Sequence, residues 1–261
     1  MNDLRGQTVL LTGASGGLGP YIAARLHAEG ASLVLTGRNE YALRQVATSV
    51  GADRVVVADL SRREEVASLT ERAGHVDILV ANAALPSMGE LAGFNVEQID
   101  RALDVNLRSA IVLANRLLPS MLSRRSGHIV LMASMHGKLP AALVSVYNAT
   151  KLGLRGFGLA LAQELKGTGV GVSVINPTFV AIAGMWAETG TTVHPLAGQA
   201  TPEQVAEAVI SGIRDNRVEL DVAPLGARLA AASPRLVGAV ARRLGATTVP
   251  SAAVQHHLTK R

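Results

Sequence analysis

Residues 8–19 read TVLLTGASGGLG. An apolar, β-branched run (8–11) meets a cluster containing Gly13, Gly17 and Gly19, and an amphipathic helical pattern follows over 18–29. A tight strand-to-helix turn needs glycine, and a bare backbone lets a phosphate group come close. The helix start then offers free N–H groups and the positive end of its dipole. A plain glycine-rich turn is the alternative. The position after a first strand and before a helix favours an anion cradle made by Gly13, Ser15, Gly17, Leu18 and Gly19.

Working outward, the same alternation repeats. Short apolar runs at 32–36, 54–57, 77–81, 128–132, 171–175 and 219–222 predict strands. Helical patterns at 39–50, 62–73, 96–122, 144–166 and 202–214 separate them, the last with Thr201 as its cap and Pro202 in its first turn. Strands with continuous apolar character are buried on both faces. The predicted fold is therefore α/β: a single-domain, Rossmann-type doubly wound parallel sheet flanked by helices. Residues 1–225 form the expected catalytic domain and 226–261 a C-terminal helical extension. The stretch 183–200 is rich in Gly, Thr and Pro and long for a connection, so it is expected to be a substrate lid.

Composition narrows the function classes. Of 261 residues, 48% are hydrophobic and only 3% aromatic, so the core is built from Ala, Val, Leu and Ile. There is no cysteine, which removes disulfides, thiolate catalysis and Cys-based zinc sites and fits a reducing compartment. The net charge of +5 comes without a basic run or an aromatic-plus-basic pattern, so no nucleic-acid partner is expected. With no apolar leader in the first 30 residues and no span of bilayer length, a cytoplasmic location is expected.

The chemistry-bearing pattern is Tyr147-Asn148-Ala149-Thr150-Lys151. A spacing of four puts the phenol and the ammonium on one helix face. A nearby Lys⁺ favours phenolate and so is expected to lower the Tyr147 pKa toward the range useful for acid–base work. Taken alone, the pair could be ordinary surface residues. Ser134, thirteen residues earlier, ends the strand at 128–132, where sheets of this kind bind ligands. The apolar run 139–146 (LPAALVSV) suggests a dry pocket beside the phenol. Asn106 is a polar residue inside an apolar helical pattern and needs a partner or a task.

Together these motifs resemble the short-chain dehydrogenase/reductase family over about residues 5–225. The spacing Thr-Gly-x-x-x-Gly-x-Gly and the set Asn106, Ser134, Tyr147, Lys151 carry the likeness. The resemblance implies that Tyr147 exchanges a proton with the substrate oxygen and that Ser134 hydrogen-bonds that oxygen. It implies that Lys151 tunes Tyr147 and holds the nicotinamide ribose, while Asn106 helps to hold a water relay to Lys151. It also implies that Asp59 and Leu60 hold the adenine (a helix-capping Asp59 is the alternative) and that Asn82 and Ala83 flank the cofactor. Two departures stand out. Residues 81–84 read ANAA where the family usually has Asn-Asn-Ala-Gly. Residues 177–182 read PTFVAI, so Thr178 and Ile182 replace a Gly and a Thr. Pro177 and the Val180 backbone are left as the nicotinamide contacts expected there.

The second predicted strand runs into Thr36-Gly37-Arg38-Asn39, with no acid before Glu40. An acid at that place would bind both ribose hydroxyls and repel a 2′-phosphate. Arg38 can instead grip the phosphate, which predicts NADP(H) over NAD(H), a solvated Arg38 being the bland alternative. The expected activity is interconversion of an alcohol and a ketone or aldehyde. A cofactor-binding regulator without turnover and a lyase or epimerase on the same fold are the alternatives. A pocket lined by Met135, Leu139, Leu143, Met185 and Trp186 would favour an apolar substrate. His136 and His194 are possible pocket residues, a lone His being more often structural or solvated than catalytic, and His256 and His257 are read as a disordered tail. The apolar helices 110–118 and 152–161, with the resemblance, imply a homodimer or homotetramer. In the C-terminal extension Leu229, Leu236, Val240 and Leu244 recur at helical spacing beside Arg228, Arg235 and Arg242, with Pro234 starting or kinking the helix. That pattern suits packing on the chain itself or a second subunit, peripheral membrane contact, or a cover over the pocket.

Overall fold

The computed structural model describes residues 3–180 and 199–232. Apart from Gln199 and Ala200, the expected lid lies outside the described residues. So do Ile182, Met185, Trp186, His194, the extension beyond residue 232, with Pro234, Leu236, Val240 and Leu244, and His256 and His257.

Strands β1 (Thr8–Thr12), β2 (Ser32–Gly37), β3 (Arg54–Val57), β4 (Ile78–Ala81), β5 (Gly127–Met132) and β6 (Val170–Pro177) alternate with helices. The helices are α1 (Gly19–Ala28), α2 (Glu40–Val50), α3 (Arg63–Ala73), α4 (Val96–Leu103), α5 (Ser109–Arg124) and α6 (Ser145–Glu164). Two short strands, β7 (Phe179–Val180) and β8 (Gln199–Ala200), pair with each other. Helix α7 (Pro202–Asp215), strand β9 (Glu219–Val222) and helix α8 (Leu225–Ala232) close the described chain. The main sheet is parallel throughout, in the order β3-β2-β1-β4-β5-β6-β9. The expected doubly wound sheet is what forms.

Successive side chains of a strand point to opposite faces, and each face here has its own core. Leu10, Leu79, Ile129 and Leu131 pack with Val66, Leu113, Leu117 and Leu154 from α3, α5 and α6. Val9, Leu11, Ile78, Val80 and Val130 pack with Ile22, Leu26, Leu43, Val205 and Val209 from α1, α2 and α7. Burying a Leu, Ile or Val side chain contributes about 1.5–3 kcal/mol, which explains why aliphatic residues suffice. From β1 the chain steps outward to β3 and then returns to β4, on the other side of β1. The strand order therefore reverses between β1 and β4, and that crevice is where such sheets bind ligands.

Several local expectations are corrected. The helix expected over 96–122 is broken by a π turn at Asp104–Arg108, and α5 runs on to Arg124. Of the apolar stretches read as a subunit contact, Ala110, Leu113, Ala114, Leu117, Leu154 and Leu161 belong to the chain's own core. Leu152, at 55% exposure, and Ala160 stay exposed on α6, with Phe157 and Leu159 half-buried. In α8, Leu229 is 62% exposed. Among the described residues, no helix is long and apolar enough to cross a membrane.

His128 makes the fold sensitive to acid. It lies buried at the start of β5, with Nε2 2.9 Å from Ser173 Oγ and Nδ1 without a partner. Burial pushes its pKa from 6.5 down to about 4. The folded protein thus favours the neutral ring, so this contribution is full above pH 6.5 and is lost as pH falls through about 4. Urea unfolding at pH 6.5 and 4.5 should show a drop in stability about 2–3 kcal/mol larger for wild type than for His128→Leu. Equal drops would show that His128 does not contribute.

Candidate active site

The cradle is assembled first. At Gly13 the backbone has φ +64°, and a Cβ there would lie 2.8 Å from Ala83 Cα. Only glycine lets the first turn press so closely on the end of β4. Thr12 locks the two together, its Oγ1 accepting the N–H groups of Asn82 and Ala83, both at 3.0 Å. The Asn82 amide donates back to the carbonyls of Thr12 and Gly13 at 3.1 and 3.2 Å. Asn82 therefore braces the turn. Helix α1 begins beside it with no side-chain cap at Leu18 and no acid in its first turn. By contrast Asn39, Asn95 and Thr201 cap α2, α4 and α7. The N–H groups of Gly17 and Leu18 meet no acceptor among the described residues. A cradle that a Cβ would fill, next to an uncapped positive helix end, fits a dinucleotide pyrophosphate.

At the other end of the crevice, Arg38 is exposed just past β2. Ser15 lies close by, its Oγ 3.4 Å from where a Cβ on Gly37 would be. Asp59 is not a helix cap. It caps a turn, accepting Ser61 N–H at 2.9 Å and Ser61 Oγ–H at 2.8 Å. Burial raises its pKa, but those two hydrogen bonds and the charges of Arg38 and Arg101 outweigh that and hold it below the usual value. Leu60 beside it is buried.

The C-terminal edge of β5 and the start of α6 bring Ser134, Tyr147 and Lys151 to one cleft of about 110 Å³. Ser134 opens a 3₁₀ turn, Met135–Gly137, and its Oγ accepts His136 N–H at 3.1 Å. The Ser134 hydroxyl donates to Pro177 O at 3.5 Å and lines the same cleft as the Tyr147 phenol. Gly137 lets this turn lie on α6, since a Cβ there would lie 2.9 Å from the Lys151 carbonyl oxygen. Lys151 is 2% exposed, and its Nζ donates to Met132 O at 2.7 Å and sits 5.6 Å from the Tyr147 ring centre. Pro177 and Val180 form the opposite wall.

One expectation fails here. Lys151 does not bring the Tyr147 pKa down: burial pushes it up to about 12, offset only in part by the nearby Ser134 hydroxyl. Burial likewise pushes Lys151 down to about 8. Desolvation outweighs the ammonium because that charge is itself buried and directed at a carbonyl. Asn106 is buried in the π turn, where its side chain is bonded to Leu85. Its Oδ1 accepts Leu85 N–H at 2.6 Å and its Nδ2 donates to Leu85 O at 2.9 Å, pinning the β4–α4 loop.

The expected pocket lining is also corrected. Met135, Leu139 and Leu143 do not line the cleft; Leu18, Met88, Met132 and Phe179 do. Met135 is turned into the core, and Leu143, at φ +65°, has its carbonyl taken by Gly89 N–H at 2.6 Å. Thr12, Met88 and Phe179 went unread in the sequence, although Thr12, a polar residue ending a buried strand next to Gly13, carried a usable signal. His136, a possible pocket residue by sequence, lines the cleft.

A family model described as short chain dehydrogenase matches residues 7–222. The chain belongs to the short-chain dehydrogenase/reductase family. Ketoacyl reductase HetN of Nostoc sp. is 39% identical to it over 230 residues, covering 85% of this chain and 80% of the relative. A solved short chain dehydrogenase/reductase family protein superposes with TM-score 0.78 at 32% identity, covering 85% of this chain and 97% of that one. An actinorhodin polyketide ketoreductase variant, solved with NADPH, superposes with TM-score 0.74 at 29% identity, covering 84% and 95%. In this short-chain dehydrogenase/reductase, as in its fold, the cradle and the Ser134–Tyr147 pair share one sheet edge.

Proposed function

We propose that this chain is an NADP(H)-dependent ketoreductase that interconverts an alcohol and a ketone or aldehyde. The carrying observation is that Ser134, Tyr147 and Lys151 line one cleft, at the sheet edge that holds the uncapped glycine cradle. The ketoreductase relatives, one of them solved with NADPH, support the same reading.

Gly13, Ser15, Gly17, Leu18 and Gly19 hold the pyrophosphate on the start of α1. Arg38 takes the 2′-phosphate, and Asp59 and Leu60 border the adenine. Asn82 and Ala83 brace the cradle, while Pro177 and Val180 wall the nicotinamide end. The bound cofactor supplies the hydride that reduces the carbonyl carbon. Tyr147, with its pKa pushed up, keeps its proton at neutral pH and gives it to the carbonyl oxygen. Ser134 hydrogen-bonds that oxygen and steadies its developing charge. Lys151 has N–H donors left beyond the one given to Met132 O, and these hold the ribose hydroxyls. Asn106 is a positioning residue that acts through Leu85. The apolar walls from Leu18, Met88, Met132 and Phe179 suit a neutral, largely hydrocarbon substrate.

The test is NADPH absorbance in the presence of ketones of graded size. Steady loss of NADPH with alcohol formed in equal amount is the expected result. NADPH binding without consumption of any carbonyl compound would favour a regulator.

The proposal extends to a homodimer or homotetramer, with Leu152 of α6, exposed in the single chain, in the contact. Light scattering at micromolar concentration should give at least twice the 27.1 kDa chain mass. A monomer mass would overturn it.

A further inference from the structure

Glu219 opens the edge strand β9 and is tied to three elements that frame the cleft. Its Oε1 accepts Lys138 Nζ–H at 2.9 Å, Arg155 Nε–H at 2.6 Å and Asn176 Nδ2–H at 2.9 Å. Lys138 closes the turn that Ser134 opens: Gly137 N–H donates to Ser134 O at 2.8 Å, and Lys138 N–H to Met135 O at 2.9 Å. Arg155 lies on α6, one turn beyond Lys151, which is itself one turn beyond Tyr147. Asn176 is buried in β6, next to Pro177, whose carbonyl accepts the Ser134 hydroxyl at 3.5 Å. Asp221, on the same face of β9, repeats two of these ties. It accepts Lys138 Nζ–H at 2.6 and 2.8 Å and Asn176 Nδ2–H at 2.9 Å.

None of Glu219, Asp221, Lys138 and Arg155 lines the cleft itself. Stability alone accounts poorly for the cluster. The four side chains are only 12–26% exposed, and withdrawing charges from water offsets most of what their pairing gains. Apolar groups of the same shape would hold β9 to α6 as firmly. What the ion pairs add is direction, because each donor must arrive at the carboxylate from a fixed side. Burial pushes the Glu219 pKa up, but the hydrogen bonds from Arg155 and Lys138 hold it down at about 2, so the carboxylate is charged at neutral pH.

We propose that Glu219 is a positioning residue for the proton transfer: holding the Ser134 turn through Lys138 and α6 through Arg155, it fixes the separation of the Ser134 and Tyr147 hydroxyls. Both hydroxyls must meet one substrate oxygen at once, and a hydrogen bond weakens steeply when its length and angle are lost. A small shift of the turn against the helix therefore costs rate, although no group that touches the substrate is changed. The assignment rests on Ser134 and Tyr147 serving the reacting oxygen, as proposed above.

The test is a double-mutant cycle on NADPH-dependent reduction of whichever of 2-heptanone, cyclohexanone and acetophenone wild type reduces fastest. Rates are expressed per NADPH-binding site, so that loss of folded protein does not count. Glu219→Gln keeps the shape and removes the charge. It should lower kcat about tenfold, a modest misplacement of a catalytic group, and leave NADPH affinity nearly unchanged. In a Ser134→Ala background, followed in single turnover with enzyme in excess of NADPH, the same substitution should change the rate by less than about twofold, since the group it positions is gone. Lys138→Met cuts the arm to the Ser134 turn alone, should reproduce this pattern, and stands in if Glu219→Gln does not fold. An unchanged kcat, or an equal proportional loss in the two backgrounds, overturns the positioning role and leaves the reductase reading standing. No NADPH oxidation by wild type with any of the three ketones overturns both.

Discussion

Tyr147→Phe is expected to lower NADPH-dependent ketone reduction by about 10²–10⁴-fold, the usual contribution of a general acid. NADPH affinity should stay within about threefold of wild type, since cofactor contacts assigned to the cradle and Arg38 are untouched and a Phe ring fills nearly the same space. The tyrosine is 6% exposed and already neutral in the structure, so the substitution removes a hydrogen-bonding hydroxyl without stranding a charge. That hydroxyl shares the cleft with Ser134. The check is steady-state kinetics beside calorimetric titration of NADPH. Wild-type turnover in the folded variant would sink the proton-donor role.

Arg38→Ala should weaken NADPH binding by about 1.5–3 kcal/mol, the range for a hydrogen bond to a charged group, and leave NADH nearly unchanged. The guanidinium is exposed at the end of β2, and no ion pair involving it forms among the described residues. Asp59, whose pKa the Arg38 charge helps to lower, already accepts two hydrogen bonds from Ser61. Asn39, next in sequence, serves α2 instead, accepting Ala42 N–H at 3.0 Å. On the proposed reading Arg38, with Ser15 beside it, therefore meets the 2′-phosphate without breaking an ion pair among the described residues. Calorimetric titration of both cofactors into wild type and variant decides the matter, and equal wild-type affinities for NADPH and NADH would show the reading of Arg38 to be wrong.

What could be read from sequence is what local physics encodes. Strands buried on both faces show as apolar runs, and helices as periodic ones, so β1 to β6 and β9 were all legible. Caps such as Thr201 with Pro202 at the next position are local too, and the observed capping box at α7 follows from them. The Tyr147–Lys151 spacing and the glycine turn survive as patterns because a helix turn and a tight loop each restrict nearby residues. The tertiary structure decided the rest. Asn106 turns its amide to Leu85, 21 residues away, because a π turn interrupts a helix whose sequence reads as continuous. Met88 and Phe179 line the cleft, and Met135 does not, because strand ends and loops distant in sequence meet only on the folded sheet edge. The Tyr147 pKa rises where the spacing suggested a fall, because desolvation comes from every neighbour at once, whereas a sequence shows only the one charged residue four places on.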